Sequence, residues 1–383
     1  MNPRFYKGYD RFYKFTKRFI CPFLAKRAHF TGEKLPTGIG PRFILCNHNT
    51  DFDFLLLTSK SDESIDFVVT ETMLRMNRFF NLVVKVLKPI LHDKGSTGAA
   101  TIKQMVGRIK EGRSILLFPE GNRSFDGRTG DVSDAIGKIA KMTGASLVVY
   151  RLTGGYFTTP RWGSKIRKGS MEGKVIRVIE AKELKSMQPD EVKKIIVEGL
   201  YTDAYKEQEE RNVRFESKAP AEYLESLLFI CPSCKKIGAL SSKIDKLSCS
   251  CGYQLTMDEY GYLTGDKGDK HSITELFDEQ KKLLEARLEG PKEDMLWSDN
   301  VKMMKLSTGH EVLKEEDCTL LAYPDCLKAG DSSFPKESIT SIDIVQRNRL
   351  TLHIKGESGH LEFTGDDTFN AVKYQLWFET ACP

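Results

Sequence analysis

Several features are missing from the 383-residue sequence, and each absence narrows the class of protein. No stretch approaches the roughly 18 consecutive apolar residues that a membrane-spanning helix needs. The N-terminus has no unbroken apolar segment followed by a small-residue cleavage site, so no secretory signal is expected. Nine cysteines are too few for a disulfide scaffold in a chain of this length. These absences predict a cytosolic protein, and the length of the chain predicts two or three domains.

Acidic residues are scarce at the N-terminus, where the first 30 residues contain eight Lys or Arg and the single acid Asp10. Aromatic side chains within this segment recur at helical spacing: Phe5, Tyr9, Phe12, Phe19 and Phe23. This pattern predicts an amphipathic helix within residues 1–30 that stops near Pro22 and lies on an anionic membrane surface. The protein is then expected at the cytoplasmic face of the membrane, as a peripheral protein. Packing of the same face on the protein's own core is the alternative, and nucleic acid is disfavoured as the partner.

Periodicity divides the rest of the chain into three regions. Within 31–215, short apolar runs alternate with helical patterns, which predicts an α/β domain with a parallel or mixed sheet and flanking helices. Short strands around four cysteines follow at 223–266, and a capped helix follows at 271–290. Residues 295–383 are strand-rich and end in an amphipathic helix, which is expected to begin near Asp367 and to bury Val372, Leu376 and Trp377. This pattern predicts a β-rich domain, and strands closed by one C-terminal helix resemble the pleckstrin-homology architecture. The expected strands and helices of the α/β domain are 43–46, 65–70, 114–118, 146–150 and 174–179, and 72–88, 98–111, 134–143 and 188–212.

A histidine followed five residues later by an aspartate lies at the end of the first apolar strand, in the segment Cys46–Asp53. The carboxylate of Asp53 can fold back onto one ring nitrogen of His48 and leave the other nitrogen free to accept a proton. Such a pair is a general base. On this spacing alone, a surface histidine near a helix start remains the alternative.

A second segment, Phe118–Ser124, reads Phe-Pro-Glu-Gly-Asn-Arg-Ser and follows another apolar strand. The turn is expected to expose Glu120 and Arg123 on the same edge of the sheet as His48. The planar fork of Arg123 suits bidentate phosphate recognition, and Gly121 permits close approach of backbone to a ligand. An ordinary strand-to-loop turn remains the alternative for this segment alone.

Together, the two segments resemble the PlsC-like glycerolipid acyltransferase family, over about residues 40–180. The resemblance implies that His48 is the general base, that Asp53 orients it, and that Glu120, Gly121 and Arg123 form part of the acceptor pocket. It also implies an acyl-CoA or acyl-carrier-protein donor, a lysophospholipid acceptor (1-acylglycerol-3-phosphate, giving phosphatidate), and no catalytic cofactor.

The sequence departs from the family pattern at two places. Lys94 stands where the family usually carries an arginine, and it is expected to meet a substrate phosphate as a point charge. Tyr150 stands in an apolar run that usually carries a proline, and an unusual Gly154-Gly155 pair follows it. These departures concern residues that would recognise the head group of the acceptor. Another lysophospholipid or lipid acceptor is therefore the alternative substrate. A non-catalytic membrane or nucleic-acid adaptor is the alternative from another class.

Four cysteines in a C-x2-C-x14-C-x-C pattern predict a zinc ribbon, with Cys231, Cys234, Cys249 and Cys251 as metal ligands. Four thiolate ligands leave no open coordination position, so the Zn2+ is expected to be structural. Two disulfides or a redox pair are the alternatives.

Overall fold

The structure is a computed structural model that describes residues 3–70, 88–92, 98–309, 311–345 and 347–380. The chain divides into two compact units. The first comprises Met1–Arg161 and Lys165–Ser217, and the second comprises Trp162–Ser164 and Lys218–Pro383.

The first unit is built on a mixed sheet in which the described residues provide seven strands, in the order β1-β7-β6-β2-β5-β3-β4. The strands β6 and β7 are antiparallel, and the remaining neighbours in the sheet are parallel. This confirms the predicted mixed α/β class. The strands are β1 (Phe30–Gly32), β2 (Arg42–Cys46), β3 (Ile65–Thr70), β4 (Ile90–His92), β5 (Ser114–Leu117), β6 (Ser146–Thr153) and β7 (Met171–Ile179).

Helices cover both faces of this sheet, which is why its strands are nearly continuous apolar runs rather than alternating ones. In β2, Ile44 and Cys46 join one buried cluster, and Phe43 and Leu45 join the other. The described helices of the unit are α1 (Pro3–Phe15), α2 (Cys21–Arg27), α3 (Asp53–Ser59), α4 (Ala99–Lys110), α5 (Ile136–Thr143), α6 (Gly155–Thr158), α7 (Ala181–Ser186), α8 (Pro189–Leu200) and α9 (Ala204–Arg211).

The N-terminal helix differs from the prediction of one continuous aromatic face. Tyr9 and Tyr13 are buried in the core of the first unit, and the hydroxyl of Tyr9 donates to the carbonyl of Ile65. The helix also continues past Pro22, because a π-helical turn (Thr16–Ile20) joins α1 to α2 and places the proline in the first turn of α2, where no amide hydrogen is needed. Part of the predicted membrane face is therefore core.

Phe15, Phe19 and Phe23 form an exposed aromatic stripe on the same helical segment, with 52%, 59% and 66% of their surfaces accessible. Phe15 was absent from the predicted face. Arg11, Lys14, Arg18, Lys26 and Arg27 are exposed on this segment as well. Among the helices of the described residues, none has the length and apolar character needed to cross a bilayer.

Two other predicted helices and one predicted site residue need comment. The helix expected over 188–212 is two helices, α8 and α9, because the side chain of Asp203 accepts hydrogen bonds from the amides of Tyr205 and Lys206 and starts a new helix. The helix expected over 72–88 lies outside the described residues, except for its last position. Lys94 also lies outside them.

The second unit contains a four-cysteine module, residues 227–271, followed by the helix α10 (Ile273–Leu288). The predicted capping box is present, since the Ser272 hydroxyl accepts from the amide of Glu275 and the Glu275 carboxylate accepts from the amide of Ser272. Five antiparallel strands run in the order β12-β11-β10-β9-β8. They are β8 (Leu240–Lys243), β9 (Lys246–Cys249), β10 (Gln254–Met257), β11 (Leu263–Gly265) and β12 (Lys270–His271).

The C-terminal part of this unit is β-rich, as predicted. Seven antiparallel strands are described, in the order β16-β15-β14-β13-β19-β18-β17, and one helix, α11 (Val372–Thr380), follows them. The helix begins five residues later than expected, and it buries Val372, Leu376 and Trp377 as expected. The strands are β13 (Trp297–Leu306), β14 (Val312–Ala322), β15 (Cys326–Ala329), β16 (Ser332–Pro335), β17 (Ile339–Val345), β18 (Arg349–Ile354) and β19 (His360–Thr364).

Candidate active site

His48 lies two residues beyond the end of β2, at the carboxyl edge of the parallel strands β2 and β5. Asn47 fixes this loop, because its side-chain amide donates to the carbonyl of Leu152 at 2.8 Å and accepts from the amide of Leu152 at 2.7 Å. The segment after β5 reaches the same edge, where the amide of Ser124 donates to the carbonyl of His48 at 3.2 Å. The fold therefore brings together the two segments that the sequence singled out.

Asp53 is the first residue of α3, and its fully buried carboxylate folds back onto the loop that precedes the helix. One oxygen lies 3.0 Å from Nδ1 of His48 and accepts from the amides of Asn49 and Thr50 at 2.7 and 2.8 Å. The other oxygen accepts from the Thr50 hydroxyl at 2.6 Å. These four contacts hold the carboxylate in one orientation and, because an ionised carboxylate only accepts, place the proton of the imidazole on Nδ1.

The imidazole of His48 stacks on the ring of Phe118, with 4.3 Å between centroids and 19° between planes. Its side chain is 23% exposed, so a small reactant can approach. Within the described part of the chain, Nε2 makes no hydrogen bond, and it carries the lone pair when Nδ1 is protonated. The pair of His48 and Asp53 thus has the geometry of an oriented general base.

Glu120 is half-buried beside the histidine loop, and backbone amides hold both of its carboxyl oxygens. One carboxyl oxygen accepts from the amide of His48 at 2.8 Å, and the other accepts from the amide of Gly130 at 2.7 Å. Burial raises the pKa of Glu120 to about 8, although the two amide donors act in the opposite direction. Its contacts identify Glu120 as a residue that positions the backbone of His48.

Arg123 lies beside the histidine loop, and only 12% of its side chain is exposed. Its Nε donates to the carbonyl of Asn49 at 3.0 Å, Nη1 donates to the carboxylate of Asp51 at 2.8 Å, and Nη2 donates to the carbonyl of Thr159. The guanidinium therefore links the histidine loop to the segment after α6. An anionic ligand could replace Asp51 as the acceptor of the Nη1 hydrogen bond, because the Asp51 side chain is 70% exposed.

Gly121 adopts a left-handed backbone conformation, with φ of +68°. A Cβ atom at this position would meet no protein atom within 4 Å. The glycine is therefore required by the turn after Phe118 rather than by packing, and the space in front of it is open to a ligand.

Gly154 and Gly155 are positioning residues that the sequence showed only as an unusual pair. A Cβ atom on Gly155 would lie 2.6 Å from Cβ of Asn49, and one on Gly154 would lie 2.2 Å from the carbonyl oxygen of Ser170. Only glycine lets α6 pack this closely against the histidine loop. A signal was present, since adjacent glycines at the end of a buried strand indicate close backbone approach.

Tyr150 is a core residue rather than part of the pocket. It is fully buried, and its hydroxyl donates to the carbonyl of Glu33 at 3.0 Å. Gly32 and Gly173 make room for the ring, because a Cβ atom on either would lie within 2.8 Å of the Tyr150 hydroxyl oxygen. Packing in the core therefore explains why a tyrosine stands at this position, in a run where the family usually carries a proline.

Comparison with known proteins gives three results. The acyltransferase family model matches residues 27–152, about a third of the chain. A 1-acyl-sn-glycerol-3-phosphate acyltransferase of Arabidopsis thaliana chloroplasts is 29% identical over 128 residues, which cover 32% of this chain and 34% of the relative. The chain thus matches about a third of the length of that curated relative. The crystal structure of PlsC from Thermotoga maritima has 17% identity and a TM-score of 0.40, covering 52% of this chain and 83% of that one.

The family match covers β2, His48 and Asp53. The class of the domain is therefore that of acyltransferases. Both motifs that the sequence analysis singled out, at 46–53 and 118–124, lie within the matched residues.

Proposed function

We propose that this protein transfers a fatty acyl chain from a thioester, of CoA or acyl-carrier protein, to the free hydroxyl of 1-acylglycerol-3-phosphate. The observation that carries the proposal is the contact of 3.0 Å between the fully buried Asp53 carboxylate and Nδ1 of His48. The similarity to a 1-acyl-sn-glycerol-3-phosphate acyltransferase of Arabidopsis thaliana supports the choice of acceptor.

In the proposed step, Nε2 of His48 removes the proton of the acceptor hydroxyl as its oxygen attacks the thioester carbonyl. The carbon–sulfur bond then breaks, and the departing thiolate takes up the proton from the imidazolium. Asp53 stabilises the imidazolium between these events. Because the acyl group passes directly to the acceptor, the step requires neither a nucleophilic side chain nor a catalytic cofactor.

Arg123 is the proposed contact for the acceptor phosphate. Its guanidinium already donates to a surface carboxylate at Asp51, and a phosphate could replace that carboxylate in a charge-assisted hydrogen bond. Gly121 borders the same space and offers its backbone. Lys94 remains a predicted second phosphate contact.

A thiol-release assay with acyl-CoA and 1-acylglycerol-3-phosphate tests the activity. We expect acceptor-dependent release of CoA and formation of phosphatidate, identified by mass spectrometry. His48→Ala is expected to lower kcat by about 10²–10⁴-fold, because it removes the general base. His271→Ala is the matched control, since His271 lies in β12, outside the acyltransferase unit, and should retain activity.

A panel of lysophospholipids with other head groups tests the proposed acceptor. Phosphate recognition by Arg123 predicts that Arg123→Lys raises KM for 1-acylglycerol-3-phosphate more than it lowers kcat. Preference for an acceptor without a terminal phosphate would contradict the assignment of the substrate. Absence of thioester consumption with every acceptor and with both donors would instead favour the non-catalytic adaptor.

We further propose that the enzyme works at an anionic membrane surface through the aromatic stripe of Phe15, Phe19 and Phe23. Full burial of each phenylalanine contributes about 1.5–3 kcal/mol, and each neighbouring Lys or Arg adds about 1 kcal/mol near an anionic leaflet. The exposed cations beside the stripe are what favour a lipid surface over an uncharged protein partner.

Flotation with vesicles of phosphatidylglycerol and phosphatidylcholine tests this surface. Replacing the three phenylalanines by serine should weaken binding by at least about 10²-fold. The control replaces the exposed apolar residues Met142, Val197 and Ile244 by serine, and should float like the unaltered protein. Equal flotation of both variants would contradict the membrane proposal.

A further inference from the structure

The four cysteines of the four-cysteine module converge on one point. Cys231 and Cys234 lie on one turn, and Cys249 and Cys251 lie on another, at the end of β9. Their four sulfur atoms all lie within 4.8 Å of one another. All four cysteines are free thiols in the structure.

The sulfur–sulfur distances distinguish a metal site from disulfides. A Zn–S bond of about 2.3 Å in a tetrahedral site places neighbouring sulfurs about 3.8 Å apart, whereas a disulfide requires about 2.05 Å. Sγ of Cys231 lies 3.8 Å from Sγ of Cys251, and Sγ of Cys234 lies 3.7 Å from Sγ of Cys249. Both distances match an edge of the tetrahedron.

The backbone around each pair of cysteines is shaped to hold thiolates. The amides of Ser233 and Cys234 point to the sulfur of Cys231, and the amide of Tyr253 points to the sulfur of Cys251. Lys235 and Gly252 follow the two pairs in left-handed conformations, with φ of +62° and +93°. Such hydrogen bonds from the surrounding backbone orient and stabilise metal-bound thiolates.

Polar contacts also tie the first cysteine turn to α10. Oε1 of Gln280 accepts from the amides of Phe229 and Ile230, and Nε2 of Gln280 donates to the carbonyl of Leu227. The strands of the module are only two to four residues long, so they bury little apolar surface. Small modules with so little buried apolar surface are commonly stabilised by a metal ion or by disulfides.

We propose that Cys231, Cys234, Cys249 and Cys251 bind one Zn2+ ion in a closed tetrahedral site that stabilises the four-cysteine module. Four thiolates favour a borderline-soft cation, and among tetrahedral thiolate centres Zn2+ binds more tightly than Fe2+. All four coordination positions are filled by protein, so the ion is structural and takes no part in acyl transfer. This proposal is independent of the proposed acyltransferase activity.

Elemental analysis of the purified 383-residue protein tests the proposal first. We expect about one zinc ion per chain. The variant Cys231→Ser/Cys249→Ser should retain none, whereas Cys318→Ser/Cys326→Ser, with the same number of cysteines replaced in the same unit, should retain a full complement. Iron in place of zinc, or zinc that persists in the ligand variant, would overturn the assignment.

Thiol titration of the unaltered protein provides a test that does not require the variants to fold. Chelation of the ion should make about four additional cysteines reactive, and limited proteolysis should then cut within residues 227–271. Cobalt substitution should give the absorption of a tetrahedral cobalt–thiolate centre. An unchanged number of reactive thiols after chelation, or a mass showing disulfides among the four cysteines, would overturn the proposal.

Discussion

Replacing Asp53 by Asn tests the proposed base directly, because it removes charge while preserving most hydrogen bonds. The asparagine oxygen can still accept from the amides of Asn49 and Thr50, so the loop should keep its shape. The interaction that is lost is the attraction between the carboxylate and the imidazolium formed during transfer. At 3.0 Å and an effective dielectric constant of about 20, that attraction is about 5 kcal/mol.

A loss of about 5 kcal/mol at the transition state corresponds to a decrease in kcat of about 10⁴-fold. The assay is acceptor-dependent thioester consumption at saturating substrate, with circular dichroism and thermal unfolding measured on the same samples. KM should change little, because Asp53 makes no contact with the proposed acceptor site. Asp134→Asn is the control, since it makes the same chemical change at a surface position of the same unit.

The reasoning would be refuted if Asp53→Asn retained kcat within about 10-fold of the unaltered protein while remaining folded. In that case Asp53 would serve the fold of the loop alone. A large loss of kcat accompanied by an equally large loss of thermal stability would also count against a role in charge stabilisation.

Three further predictions concern residues around the site and the capped helix. Gly155→Ala should displace Asn49 and lower kcat by about 10²-fold in the same assay, whereas Gly107→Ala, in an open position of α4, should leave kcat unchanged. Glu120→Gln should flatten the pH dependence of the urea midpoint: because the pKa of Glu120 is raised to about 8, its stabilising contribution is complete below about pH 4.5 and is lost as the pH rises through about 8. Ser272→Ala should destabilise the second unit by about 1 kcal/mol in thermal unfolding, because it removes the cap of α10.

Much of the fold could be predicted from the sequence because both faces of the central sheet are covered. Continuous apolar runs identified its five longest strands to within three residues at each end. The predicted helix boundaries were wrong where a short polar side chain hydrogen-bonds to the backbone and changes its direction. Asp203 divided one predicted helix into two, and the side chain of Asn370 accepts from the amide of Lys373 and delays the start of α11.

Contacts in the candidate site between residues that are close in the sequence could be predicted, and contacts between residues that are far apart could not. The contact of His48 with Asp53 follows from five residues of spacing at the start of a helix. The bond of Glu120 to the amide of His48 joins residues 72 apart and depends on the adjacency of β2 and β5 in the sheet. The approach of Gly155 to Asn49 likewise depends on strand order, which periodicity does not reveal.

The packing of the N-terminal helix against the core of the first unit also has a consequence for how the protein would bind a membrane. Arg113 binds the carboxylate of Asp10 and lies 4.7 Å from the centre of the Tyr9 ring, so the helix is anchored before any bilayer is present. Amphipathic peptides that fold on a surface lose chain entropy at that moment. Here the three phenylalanines lie on a helical segment that is already folded, so no chain entropy is lost on binding. The addition of vesicles should therefore leave the far-ultraviolet ellipticity unchanged. Attachment to the membrane should be rapid and reversible.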